Sequence, residues 1–84
     1  MTHTYIPQGV CSRQINVELD ANGTITNCEI IGGCAGNTAG ICQLVKGMDA
    51  EEAVTRLKGI DCRGRGTSCP DQLANALEEA LEYV

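Results

Sequence analysis

Apolar and polar residues alternate in the first third of the chain. Ile15, Val17 and Leu19 are each separated by one polar residue, and this period of two predicts a strand with one buried face. Residues 20–23 contain Asn-Gly, the strongest short signal for a hairpin turn. Residues 24–31 predict a returning strand whose alternation is less regular towards its end. The pattern therefore indicates an antiparallel hairpin, preceded by an extended lead-in over the polar residues 1–8.

Three later segments have the apolar spacing of helices. The first is expected from Thr38 to Lys46 with Asn37 as its N-cap, and the second from Ala50 to Lys58 with Asp49 as its N-cap. The third follows Ser68, whose hydroxyl is suited to cap it, and Pro70 is tolerated in a first helical turn. Its apolar positions are Leu73, Ala76, Leu77, Ala80, Leu81 and Val84. We therefore predict an α+β fold, in which an N-terminal antiparallel hairpin or small sheet is followed by three helices packed on one face.

Composition restricts the size and kind of core. The chain has 84 residues and no Phe or Trp, so residues 1–84 are expected to form a single domain with a core of Ile, Val, Leu and Ala. A core of this kind leaves little net stability, and a bound metal would add to it. His3 lies in the polar lead-in and is not expected to be a metal ligand.

Charge and terminal sequence exclude several functions. The formal net charge of −5 argues against direct nucleic-acid binding and against a basic membrane-surface helix. No apolar segment approaches membrane-spanning length, and the N-terminus lacks the pattern of a secretory signal. The expected compartment is the cytoplasm, where six cysteines indicate metal binding, redox chemistry or burial before a disulfide framework.

The six cysteines fall into two groups. Cys28 lies within a predicted strand and Cys42 within a predicted helix, so both are expected to pack as small apolar side chains. The other four lie beside glycines or at the ends of predicted elements: Cys11, Cys34, Cys62 and Cys69. Four thiolates about 2.3 Å from one Zn²⁺ make a closed tetrahedral site, and thiolates suit iron or a small iron–sulfur cluster equally well. No Cys-x-x-Cys pair is present, so spacing alone does not decide whether a metal binds.

Cys62 and Cys69 enclose a short basic loop. Cys69 is expected at a helix N-terminus, where the helix dipole favours a thiolate, so these two thiols are also candidates for an exchangeable redox pair. Arg63 and Arg65 lie between them. Arginines in loops are commonly solvated, but here they are also candidates for contact with an anion or a partner protein.

Thr67-Ser68-Cys69-Pro70-Asp71 resembles the signature of the TSCPD domain family. The similarity extends over nearly the whole chain, in the order of the four cysteine-containing segments: residues 9–12, 32–37, 59–62 and 67–72. The family includes the C-terminal domain of adenosylcobalamin-dependent ribonucleotide reductases and small stand-alone proteins whose pattern has four cysteines. The resemblance therefore implies Cys11, Cys34, Cys62 and Cys69 as a set, and a partner related to ribonucleotide reductase.

A more distant resemblance is to the U-type iron–sulfur scaffold proteins. These carry one cysteine before a hairpin, one in a Gly-Cys loop that opens a helix, and one opening a later helix, which are similar to Cys11, Cys34 and Cys69. This chain has Ser68 where the scaffold has a histidine, and no aspartate soon after Cys11. The resemblance implies a scaffold-like fold with the thiols at one end of it.

Three functions remain open at this point. The first is a small zinc or iron binding domain, the second a thiol redox accessory of a ribonucleotide reductase that uses Cys62 and Cys69. The third is a protein-interaction module whose cysteines only pack. No Ser/His/Asp set or paired carboxylates typical of catalysis can be identified, so an enzyme acting alone is the least supported interpretation.

Overall fold

A computed structural model describes residues 2–7, 9–10, 12–32, 35–60 and 68–83. The elements in chain order are β1 (Thr2–Tyr5), β2 (Ser12–Leu19), β3 (Ile25–Gly32), α1 (Ala35–Val45), α2 (Ala50–Leu57) and α3 (Cys69–Leu81). The strands form one antiparallel sheet in the order β1-β2-β3. The predicted α+β fold, a small antiparallel sheet followed by three helices, is confirmed. In the described part of the chain, no helix is long and apolar enough to cross a membrane.

The N-terminal lead-in is more ordered than predicted, because residues 2–5 form an edge strand. Tyr5 pairs with Ile15 in the sheet, and its hydroxyl donates a hydrogen bond to Gln72 Oε1 of α3 at 3.1 Å. His3 Nε2 lies 3.0 Å from Glu79 Oε1 of the same helix. A short polar strand has little periodic pattern of apolar residues, so the local sequence does not predict this strand or its contacts with a distant helix.

Two β-bulges explain why the alternation in the hairpin is irregular. Leu19 pairs with Ile25 while Glu18 pairs with Asn27, so β3 has one extra residue at Thr26. A bulge of this kind reverses which face the following side chains occupy. Ile25 is therefore buried before the bulge, and Cys28 beyond it also packs against the core.

The second bulge lies at the other end of the same strand pair. Ser12 pairs with Gly32 and Gln14 with Ile31, so the extra residue is Arg13 of β2. Gly32 has a φ of 87°, and a Cβ there would lie 3.2 Å from the Arg13 backbone nitrogen. A residue with a side chain would be strained at this position. The bulge leaves the side chain of Ser12 buried, with 4% of its surface exposed.

The predicted turn is confirmed, and it also supports the segment between α1 and α2. Asp20 Oδ1 accepts hydrogen bonds from the backbone nitrogens of Asn22 and Thr24, each at 2.9 Å. The chain after α1 is hydrogen-bonded to the turn and to the first residue of β3. Ile25 N donates to Met48 O at 2.8 Å, and Ala50 N donates to Gly23 O in the turn at 2.8 Å. The loop between the two helices is thus fastened to the start of β3.

The first helix begins earlier than predicted. It starts at Ala35 rather than Thr38, so Asn37 lies inside α1 and the prediction that it is the N-cap was wrong. Asparagine is favoured at N-caps over helix interiors, which is why the local sequence pointed to Asn37. For α2 the prediction was right at the start: Asp49 is the N-cap, and its side chain accepts from Glu52 N at 3.3 Å.

Among the described residues, helix α3 has more buried side chains than α1 or α2. It packs against β1, β2 and α2. Its fully or nearly fully buried side chains are Gln72, Leu73, Ala74, Ala76, Leu77 and Ala80. The core is completed by Ile15, Val17, Leu19, Ile25, Val45, Ala50 and Ala53, so it is aliphatic as the composition predicted.

The buried face of α3 should dominate stability. Leu77 has no exposed surface, whereas Leu44 of α1 is 75% exposed. We expect Leu77→Ala to lower the free energy of unfolding by about 2–5 kcal/mol through lost burial and a residual cavity. The matched change Leu44→Ala should alter it by no more than about 0.5 kcal/mol. Urea denaturation followed by circular dichroism measures both, and equal losses would contradict this packing.

Candidate thiol site

Cys69 is the first residue of α3, and the local sequence fixes its position. Ser68 is the N-cap, and its Oγ accepts a hydrogen bond from Asp71 N at 3.1 Å. Pro70 lies in the first turn, where its missing N–H leaves no hydrogen bond unmade. The Cys69 thiol is free and partly exposed. These features confirm the predicted start of the helix at this cysteine.

Ser12 connects the start of β2 to this thiol. Its Oγ lies 3.5 Å from Cys69 Sγ, within hydrogen-bonding distance for sulfur. Ser12 also pairs with Gly32 at the end of β3. The described residues next to Cys11 and shortly before Cys34 in the sequence therefore lie at the same end of the sheet as Cys69.

The chain before the basic loop is also held near the start of α3. Gly59 has a φ of 87° just after α2, and its backbone nitrogen donates to Asp71 Oδ1 at 2.6 Å. Asp71 belongs to the first turn of α3. The chain therefore lies close to Cys69 just before the segment that contains Cys62.

Most of the predicted site residues lie outside the described residues. These are Cys11, Cys34, Cys62, Arg63 and Arg65. Among the residues that the structure does describe, no group of three or more His, Cys, Asp or Glu side chains is arranged to hold a metal ion. The predictions for the four-cysteine set, for the Cys62–Cys69 redox pair and for the two arginines therefore stay predictions.

The structure adds a pair of thiols that the sequence interpretation had treated as simple packing. Cys28 Sγ of β3 and Cys42 Sγ of α1 are 2.7 Å apart. Cys42 is only 7% exposed and Cys28 is partly buried. Burial of Cys42 agrees with the prediction, but the contact between the two sulfurs was missed. No sequence signal points to it, because the Thr26 bulge determines which face Cys28 occupies.

Comparison with known proteins supports the family assignment made from the signature. The TSCPD domain matches residues 1–81, which is nearly the whole chain, and the protein belongs to this family. No curated protein and no solved structure matches the chain.

The cap at Ser68 should be a measurable determinant of this site. We expect Ser68→Ala to lower the free energy of unfolding by about 1 kcal/mol, because Asp71 N loses its acceptor. Ser68→Thr keeps the hydroxyl and serves as the control. Thermal or urea unfolding followed by circular dichroism compares them. If alanine and threonine were tolerated equally well, the hydroxyl would not be stabilising the start of α3.

Proposed function

We propose that this protein is a small metal-binding domain in which Cys11, Cys34, Cys62 and Cys69 hold zinc or iron, the latter as a mononuclear ion or an iron–sulfur cluster. The observation that carries the proposal is the contact of Ser12 with both Cys69 and Gly32. Thiolates are the ligands that both metals share in such sites.

Chain connectivity supports the membership of Cys11, Cys34 and Cys69. Cys11 directly precedes Ser12, and Cys34 is two positions beyond Gly32. Consecutive Cα atoms are about 3.8 Å apart, so both cysteines are tethered closely to the residues that meet near Cys69. The free, partly exposed thiol of Cys69 is available as a ligand, so the described residues fit a thiolate-bound metal.

The fourth ligand is supported by the anchoring of Gly59. Cys62 is three positions beyond it, so their Cα atoms are at most about 11 Å apart. Gly59 is itself hydrogen-bonded to Asp71, two residues after Cys69. Cys62 is therefore within reach of the end of the domain where Cys69 lies.

A metal at this position would stabilise the fold, in addition to any functional role. It would join the start of β2, the connection between β3 and α1, the loop after α2 and the start of α3. Those segments are far apart in the sequence, and an 84-residue chain with an aliphatic core gains much from such a crosslink.

Metal analysis of anaerobically purified protein tests the proposal. We expect about one equivalent of zinc, or iron in the stoichiometry of a mononuclear site or small cluster. Serine at any one of the four proposed ligands should lower the metal content and the melting temperature. Cys28→Ser and Cys42→Ser are matched controls, because they remove a thiol outside the set and should leave the metal content unchanged.

Two outcomes would contradict the proposal and separate it from the alternatives. Absence of metal together with rapid alkylation of Cys62 and Cys69 would favour a thiol redox accessory of a ribonucleotide reductase. Absence of metal, slow alkylation and an unchanged melting temperature in the four serine variants would favour a protein-interaction module.

A further inference from the structure

The Cys28–Cys42 pair lies between the sheet and helix α1, away from the contact of Ser12 with Cys69. Cys28 pairs with Val17 in the middle of the sheet, whereas Ser12 and Cys69 meet at the end of β2. The two sulfurs are 2.7 Å apart, and a disulfide bond needs about 2.05 Å. The separation exceeds the length of a disulfide bond by about 0.65 Å.

The surroundings of the pair allow a small reagent to reach it. A cleft of about 300 Å³ opens beside the two sulfurs and is lined by residues of β3 and α1. Its other lining residues include Glu29, Ile30, Thr38, Ala39 and Gln43. Cys28 retains partial exposure. The pair is thus accessible, unlike two cysteines sealed within a core.

The close contact between the two sulfurs affects how each thiol ionises. The contact with Cys42, assisted by burial, raises the pKa of Cys28. The same contact lowers the pKa of Cys42, with further help from a backbone hydrogen bond at Ile30, although burial opposes the shift. A thiolate formed on one sulfur therefore has the second thiol directly beside it, which is the arrangement that exchange with an external disulfide requires.

We propose that Cys28 and Cys42 form a reversible dithiol–disulfide site that exchanges with low-molecular-weight disulfides. One thiolate attacks a sulfur of the disulfide RSSR, forming a mixed disulfide and releasing RS⁻. The second protein thiol then loses its proton and attacks the protein sulfur of that mixed disulfide, which releases a second RS⁻. The two protein sulfurs are oxidised, RSSR is reduced, and the two protons end on the two RSH products.

A disulfide interpretation fits these residues better than a metal site. In the described part of the molecule, no third metal-ligating side chain joins the two sulfurs in a metal-binding group. A dithiol needs only one neighbouring thiol to resolve the mixed disulfide, and the 2.7 Å separation supplies it.

The disulfide would act on helix α1. This helix packs mainly on β3, and its large apolar residue Leu44 is 75% exposed. A bond between Cys28 and Cys42 closes a ring that spans the β3–α1 connection and restricts the unfolded chain. Oxidation should therefore fasten α1 to the sheet.

Peptide mapping of the full-length protein tests the proposal. The protein, purified with whatever metal it carries, is incubated with glutathione disulfide, acid-quenched, alkylated and cleaved after glutamate. Cleavage after Glu18, Glu29 and Glu51 separates Cys28, in peptide 19–29, from Cys34 and Cys42, in peptide 30–51. We expect these peptides to be linked, with fragmentation placing the bond at Cys42, and the intact protein to lose two hydrogen atoms.

The variants and the melting curve give independent readouts. Cys28→Ser and Cys42→Ser should each stop at a mixed disulfide on the remaining thiol of the pair, because the second thiol that would displace glutathione is missing. Oxidation should raise the melting temperature of the unsubstituted protein by about 10 °C. The same treatment should not raise the melting temperature of Cys42→Ser. Excess dithiothreitol should reverse the change.

Several results would overturn the proposal. One is that Cys28 and Cys42 are both recovered as alkylated thiols after incubation with excess glutathione disulfide. The others are a bond that joins Cys28 to Cys34, or a mixed disulfide that persists in the unsubstituted protein. Metal content is measured in parallel. A protein that forms the Cys28–Cys42 bond without binding metal supports this inference while the metal proposal fails, and the reverse result separates them equally well.

Discussion

Helix α3 is packed on two sides at once, and this constraint organises the rest of the molecule. The helix contacts both the sheet and α2, so its buried face is broader than that of a helix resting on a single layer. Three of the residues on this face are alanines, Ala74, Ala76 and Ala80, whose small side chains permit close approach. Because the helix is held this way, its first residue, Cys69, is directed to one end of the sheet.

The two β-bulges determine which strand residues can contact Cys69 and Cys42. Without the extra residue at Arg13, Ser12 would lie on the opposite face of β2 from the buried Ile15, and it could not contact Cys69. Without the extra residue at Thr26, the faces of Ile25 and Cys28 would likewise be opposite. One irregular strand pair thus serves both the proposed metal site and the Cys28–Cys42 pair.

The two groups of thiols would have different consequences for the fold. A metal held by Cys11, Cys34, Cys62 and Cys69 would tie four chain segments together at one end. A bond between Cys28 and Cys42 would tie only α1 to β3. Cys34 connects the two, because it lies in the chain between Cys28 and Cys42, within the ring that the disulfide would close.

The sequence by itself determined the elements whose signals are local. The Asn-Gly turn, the Asp49 and Ser68 caps and the apolar spacing of α3 depend on neighbouring residues, and the structure confirms them. The four loop cysteines were proposed as a set from local context and the family signature, and that set stays a prediction. The strand at residues 2–5, the start of α1 and the Cys28–Cys42 contact were decided only by tertiary structure. The strand depends on pairing with β2, and the sulfur contact depends on the bulge at Thr26 and on the packing of α1 against β3. A local pattern of apolar and polar residues does not record which partner a segment will meet.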